Sequence, residues 1–249
     1  MKLSIDLNAD LGEGVASERE LLPLISSASI ACGLHAGDPS TMSASIRAAR
    51  AAGVAVGPHP SLNDRENFGR IEVPVSPEEV FHLVTYQLGA FQAIARSLGA
   101  NPRHLKLHGA LYNMAARDRV IADAAVRAAL VVDPSLILFC PGGSELAKAG
   151  AAHNVRLARE VFADRNYLPD GSLVPRTQAN ALLYQPEEAA LRILRILDEK
   201  VVTAIDGSSI PIEAETVCVH GDTPDAVLFA RQLRAQLTAA GISIAALSP

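Results

Sequence analysis

The chain contains no tryptophan, and phenylalanine and tyrosine bring its aromatic content to only 4%. An aromatic-poor chain of 249 residues must build its core from aliphatic side chains, and hydrophobic residues make up 49% of it, chiefly Ala, Leu, Val and Ile. That supply suits parallel strands buried beneath helices. Basic runs are missing too, and the net charge is −5. Such a chain offers nucleic acid or an anionic membrane no electrostatic footprint, which leaves a small or medium-sized substrate as the expected ligand. No apolar run reaches the ~18 residues of a membrane helix. Met1 leads straight into a strand-like pattern, so no secretion signal is expected. The three cysteines, Cys32, Cys140 and Cys218, are far apart and set in apolar runs. An odd, scattered set argues against a disulfide framework and for reduced thiols, and so for a cytoplasmic location. No Gly-x-x-x-x-Gly-Lys-Ser/Thr segment occurs, and Pro141-Gly142-Gly143 is too short to be a phosphate loop, so no standard nucleotide cradle is visible. Linkers, low-complexity tracts and internal repeats are absent as well, so residues 1–249 read as a single domain.

What is present is organised around residues 4–14. Asp6, Asn8 and Asp10 alternate there with apolar residues, and Gly12-Glu13-Gly14 follows. A period of two argues a strand, and the glycines argue a tight turn at its end. Packing gains nothing from three carboxylates and an amide at one strand tip, because unpaired buried carboxylates are costly. A site that handles a metal, a proton or a substrate amide would use them. Further strands are expected at 28–32, 54–57, 104–107, 136–140, 155–162 and 216–219, with a short one at 242–246 and a hairpin over 201–213 around Asp206-Gly207. Helices are expected at 40–52, 77–98, 119–131, 144–151, 186–200 and 225–239, and a short helix or loop at 17–24. Ser76-Pro77-Glu78-Glu79 has the form of a capping box with proline as first helical residue. Residues 62–70 read as a loop over a site, and 168–183 as a structured loop. Strand-then-helix alternation, about seven times over, predicts an α/β fold: a single (β/α) barrel, TIM-like and of seven strands or so.

Chemistry-bearing residues fall just after the strands: Asn8, Asp10 and Glu13, then His35 and Asp38, His59, His108, the trio Glu160, Asp164 and Arg165, and finally His220 and Asp222. In α/β barrels such positions share one face. Four of the seven histidines occupy them; His82, His104 and His153 do not and read as structural or exposed. Asp10, His35 and His59 suit a divalent cation or an acid/base cluster equally well. Lys106 suits the neutralisation of an anionic intermediate or a pairing with a carboxylate such as Glu160. Arg165 and Arg176 suit a forked grip on a carboxylate or phosphate. Cys32, inside an apolar strand, is poorly placed for a nucleophile. Asp38 and Asp222 each precede a helix, where capping competes with a role in a site.

Several long stretches then carry a resemblance. Asp6-Leu7-Asn8-Ala9-Asp10-Leu11-Gly12-Glu13, Ile30-Ala31-Cys32-Gly33-Leu34-His35-Ala36-Gly37-Asp38-Pro39, Gly57-Pro58-His59-Pro60-Ser61, Lys106-Leu107-His108-Gly109-Ala110-Leu111-Tyr112, Glu160-Val161-Phe162-Ala163-Asp164-Arg165-Asn166-Tyr167 and Cys218-Val219-His220-Gly221-Asp222-Thr223-Pro224 resemble the LamB/YcsF family over nearly the whole chain. Leu34, Pro58 and Leu107 depart from its usual Phe, Ala and Pro, which are changes of packing only. The resemblance implies a barrel akin to glycoside hydrolases and polysaccharide deacetylases. It also implies the A component of an ATP-dependent 5-oxoprolinase, which cleaves 5-oxo-L-proline to L-glutamate together with B and C partner subunits. With ATP activating the lactam carbonyl, Asp10 and Glu13 are read as base or metal-facing groups. His35, His59, His108 and His220 are read as ligands or proton carriers, and Lys106 as the electrostatic donor. Asn8, Arg70, Glu160, Asp164, Arg165, Arg176 and Asp222 are read as substrate-binding. A divalent metal, if bound, is expected on Asp10, His35 and His59. A metal-dependent amidohydrolase working alone and a non-catalytic carrier of 5-oxoproline are the competing readings.

Overall fold

The computed structural model describes residues 3–221 and 225–248. In chain order the elements are β1 (Ser4–Leu11), α1 (Glu18–Leu21), β2 (Ser27–Ala31), α2 (Pro39–Ala51), β3 (Ala55–His59), α3 (Pro77–Ser97), β4 (His104–Lys106), α4 (Gly109–Arg117), α5 (Arg119–Val132), β5 (Ile137–Pro141), α6 (Glu145–Ala152), β6 (Leu157–Phe162), α7 (Pro186–Glu199), β7 (Val201–Thr203), β8 (Ser209–Pro211), β9 (Thr216–Cys218), α8 (Ala226–Ala239) and β10 (Ser243–Ile244). Seven strands pair in the order β3-β2-β1-β9-β6-β5-β4, every pairing parallel, and β10 adds to the start of β1. The two ends of this sheet meet. Arg103 N donates to Val56 O at 2.9 Å and His108 N to Pro60 O at 2.8 Å, so β3 and β4 stand side by side and the barrel is nearly closed.

The seam has a covalent cause. The carbonyls of Val56 and Pro60 both face β4, so Pro58, in phase between them, faces it too. Proline has no N–H, and two prolines on that edge remove the donors a continuous ladder needs. Gly57 permits the close approach: a Cβ there would lie 2.2 Å from His104 O.

Along β1 the alternation works as expected. Ile5, Leu7, Ala9 and Leu11 join the apolar layer under the helices, while Asp6, Asn8 and Asp10 point into the barrel. The interior is therefore polar above an apolar plug of Ile137, Phe139 and Ala158. Two larger apolar clusters lie between sheet and helices, one under α2, α7 and α8 and one under α3, α4, α5 and α6. The capping box opens α3 as expected, with Ser76 and Glu79 bonded reciprocally. Asp38 caps α2, accepting from Thr41 N at 2.7 Å. The hairpin of β7 and β8 forms around Asp206-Gly207.

One helix escapes the sequence pattern. Residues after His108 read as a strand-end loop, yet α4 forms there without any side-chain cap at its start. Tertiary burial of Ala110, Leu111, Tyr112 and Ala115 holds it, and Ala110 N is satisfied by Gly69 O. The final strand shrinks to two residues, because only Ser243 and Ile244 reach the edge of β1.

Candidate functional site

At the carboxyl ends of the strands the chemistry converges. Lys106, at the end of β4, reaches across the barrel. Its Nζ lies 3.2 Å from Asn8 Oδ1, 3.0 Å from Asp10 Oδ1, 3.0 Å from Glu160 Oε1 and 3.1 Å from Cys218 Sγ. Burial alone would lower its pKa, but Asp10, Cys218 and Glu160 outweigh that and hold the ammonium charged well above the ordinary lysine range. Asn8 donates to Glu160 Oε1 at 3.0 Å and to Thr216 Oγ1 at 2.7 Å, and Tyr112 donates its hydroxyl to Glu160 Oε2 at 2.8 Å. Asn8 and Glu160 are essentially inaccessible, at 0% and 2% exposure. They and Lys106 direct their bonding groups at one another and form the floor of the site. Asp6 lies below them, holding Ser26, Ser27 and Thr216, with its pKa raised by burial.

On the β1–β3–β4 side, His59 and His108 meet. His59 Nδ1 lies 2.8 Å from Lys106 O, and His108 Nε2 lies 2.8 Å from Phe68 O. A carbonyl only accepts, so each of those nitrogens carries the hydrogen. The remaining ring nitrogens, His59 Nε2 and His108 Nδ1, face each other at 2.9 Å. Asp10 Oδ2 lies 3.3 Å from the first and Glu13 Oε1 3.4 Å from the second. His35 stacks on His108 with ring centroids 3.8 Å apart and donates through Nε2 to Glu13 Oε1 at 3.1 Å. Burial first, and then the neighbouring His59, hold His35 neutral with its pKa lowered to about 3. Burial and the adjacent His35 and His59 likewise push His108 well below the usual histidine range. Burial would raise Asp10, but His59 and Lys106 prevail and hold it well below the usual carboxylate range.

On the β6–β9 side, Asp164 accepts from His220 Nδ1 at 2.8 and 2.9 Å. Burial would raise Asp164, but His220, Arg176 and Arg165 lower it. Phe162 stacks on the His220 ring at 5.6 Å between centroids. Arg165 is 7% exposed and gives one guanidinium nitrogen to Val174 O at 2.6 Å. Burial and then Arg176 lower its pKa to about 10. Asp10 also has Cys218 and His220 atoms within 4.8 Å, so the two sides share one mouth.

The 62–70 loop covers the histidines, as its polarity suggested. Phe68 sits at φ 57° and Gly69 at φ 64°, and a Cβ on Gly69 would lie 2.9 Å from that of His35. Arg65 binds the carbonyls of Gly33 and Gly37, and Arg70 lies over the Phe68 ring, exposed at the rim.

The structure thus brings Asp10, Glu13, His35, His59, Lys106, His108, Asp164 and His220 together. It sets Asn8 and Glu160 beneath them, and Arg165 and Arg176 beside Asp164. Asp222 lies outside the described residues. Among the described residues two groups of candidate cation ligands converge, Asp10, Glu13, His59 and His108 in one and Asp10, Cys218 and His220 in the other. Of the expected trio, Asp10 and His59 fall in the first group, while His35 stands behind Glu13. Sequence reasoning passed over Tyr112, Thr216 and Cys218. Tyr112 and Cys218 lie in stretches already marked by their neighbours, but Thr216 has only its place on an inward-facing strand position. Glu18 was also missed: its carboxylate accepts from Gly12 N, Glu13 N and Val15 N and so shapes the tip of β1. His104, far from the mouth, is buried at the barrel base against Ser29 Oγ and stacked on Phe139. His82 and His153 are not buried.

The LamB/YcsF family model matches residues 5–249. A curated relative from Methylococcus capsulatus, named as the A subunit of 5-oxoprolinase, is 48% identical over 252 aligned positions, covering 99% of this chain and 97% of that one. The crystal structure of a lactam utilization protein from Thermus thermophilus superposes with a TM-score of 0.92 at 41% identity, over 98% of this chain and 100% of the other. A family 4 carbohydrate esterase from Streptomyces lividans, at 11% identity and a TM-score of 0.53 over 99% of this chain and 93% of that one, shares the fold alone.

Proposed function

Because this chain belongs to the LamB/YcsF family, we propose that it is the A subunit of an ATP-dependent 5-oxoprolinase, opening the lactam of 5-oxo-L-proline to L-glutamate. The observation that carries the reading is the gathering, in one barrel mouth, of a buried carboxylate–histidine cluster and a separately anchored Asp164–His220 pair. A five-membered lactam is a stabilised amide. Its opening needs an activated carbonyl, a base for water and a donor for the leaving nitrogen. Asp164 fixes His220 with Nδ1 protonated, so Nε2 is the basic nitrogen of that ring, and it is suited to move a proton. Asp10 and Glu13 face the same mouth from β1 and its turn. Arg165 and Arg176 supply positive charge for the substrate carboxylate. Lys106 holds Asp10 and Glu160 in place rather than leaving its charge to the substrate.

ATP activates the lactam oxygen by phosphorylation within a complex that includes B and C subunits, in the cytoplasm. No helix among the described residues is long and apolar enough to cross a membrane. Glutamate release from 5-oxoproline, measured with and without ATP and the two partners, tests this. Release is expected only with all of them. In that complex Asp10→Asn should lower turnover at least about 100-fold, the scale of a lost acid/base group. Full turnover by the variant would make the chain a carrier instead.

A further inference from the structure

The contact between His59 and His108 is one that two neutral imidazoles cannot make. Lys106 O fixes the hydrogen of His59 on Nδ1, and Phe68 O fixes that of His108 on Nε2. Both rings then present lone pairs to each other at 2.9 Å, with Asp10 Oδ2 and Glu13 Oε1 at 3.3 and 3.4 Å. Four acceptor atoms from three chain segments converge, all within 4.8 Å of one another, while both ring hydrogens point away from the meeting point. A positive centre between the rings resolves the contact: a proton carried by one of them, or a cation held by both in its place.

We propose that Asp10, Glu13, His59 and His108 bind one divalent transition-metal cation. Two imidazoles and two carboxylates are the ligand set of zinc and its neighbours rather than of magnesium or calcium. Ligands ~2.0–2.1 Å from a tetrahedral zinc lie roughly 3.3–3.4 Å apart, which the observed separations approach. The carbonyls of Lys106 and Phe68 orient the two rings, and His35 orients Glu13, which are the supporting contacts such a centre needs.

The site is testable without substrate, ATP or partners, so its failure leaves the lactam reading untouched. The full chain, stripped with a chelator, is titrated with Zn²⁺ by calorimetry and with Co²⁺ by visible absorption. One ion per chain is expected, with a four-coordinate cobalt spectrum and a cation-dependent rise in thermal midpoint. His59→Gln and the rim variant Glu13→Gln should each weaken binding at least about 10-fold, and His82→Gln not at all. Should His59→Gln fail to fold, Glu13→Gln, at the partly exposed tip of β1, carries the test. Absence of stoichiometric binding by the unaltered chain, or affinity unchanged in Glu13→Gln and His59→Gln, overturns the proposal.

Discussion

Lys106 shows how a single residue sets the site's energetics. It is buried among Asn8, Asp10, Glu160 and Cys218, and its ammonium compensates two carboxylates that have little access to water. Removing one partner of a buried ion pair costs about 3–5 kcal/mol, because the remaining charge stays uncompensated. Lys106→Met should therefore lower stability by about that amount in urea unfolding. Adding Glu160→Gln should return part of the loss, by removing one stranded charge. A Lys106→Met midpoint within error of the parent would contradict the floor assigned to this network. The role of Lys106 was only half legible in sequence: its place at a strand end was plain, but either fate, donor or ion pair, fitted. Its partners lie up to 112 positions away, and only closure of the barrel chose between them.

At the level of elements, glycines separate tertiary from local demands. Gly57 admits the β3–β4 seam, where an added Cβ would strike the His104 carbonyl at 2.2 Å. Gly57→Ala should cost about 1–3 kcal/mol or more, as overpacking does, and should loosen amide protection along β3 and β4 in hydrogen exchange. Gly89 is the opposite case. It sits exposed inside α3 with nothing within 4 Å of a Cβ, so Gly89→Ala should stabilise by about 0.5–1 kcal/mol in the same unfolding assay. The start of α3 was readable from Ser76 to Glu79 because a capping box is made of hydrogen bonds between near neighbours. The helix α4 was not, since nothing in its own residues caps it and its stability comes from burial against β5, α5 and the 62–70 loop.

For the whole molecule, buried neutral histidine ties the fold to pH. Burial, and then Lys106 and His59, lower the His104 pKa to about 3, while an unfolded histidine titrates near 6.5. Between those values the unfolded chain binds the extra proton, so stability falls as pH drops from about 6.5 toward 3. The slope from this group reaches about 1.4 kcal/mol per pH unit. Asp164, lowered by His220 and the arginines despite burial, adds a loss in the same direction once pH falls below the ordinary carboxylate value. Urea midpoints at pH 7, 6 and 5 should decline, and His104→Gln should flatten the decline by one histidine's share. An equal slope in the variant would mean that His104 is not the group that titrates. Nothing in the sequence distinguished this residue from an exposed one, because its cover, Phe139 and Ser29, comes from other strands.

The sequence by itself determined most of the strands and helices, the (β/α) barrel and the face on which its polar strand ends gather. Those follow from periodicity, caps and turn residues, which act over a few positions. Only the tertiary structure decided which groups meet: that Asn8 and Glu160 lie in the floor, that His59 Nε2 and His108 Nδ1 turn toward each other and toward Asp10 and Glu13, and that His35 stands one step behind. The reason is physical. Which nitrogen of a histidine keeps its hydrogen depends on a carbonyl 40 or more residues away, and no local pattern encodes where a closing sheet will place that carbonyl.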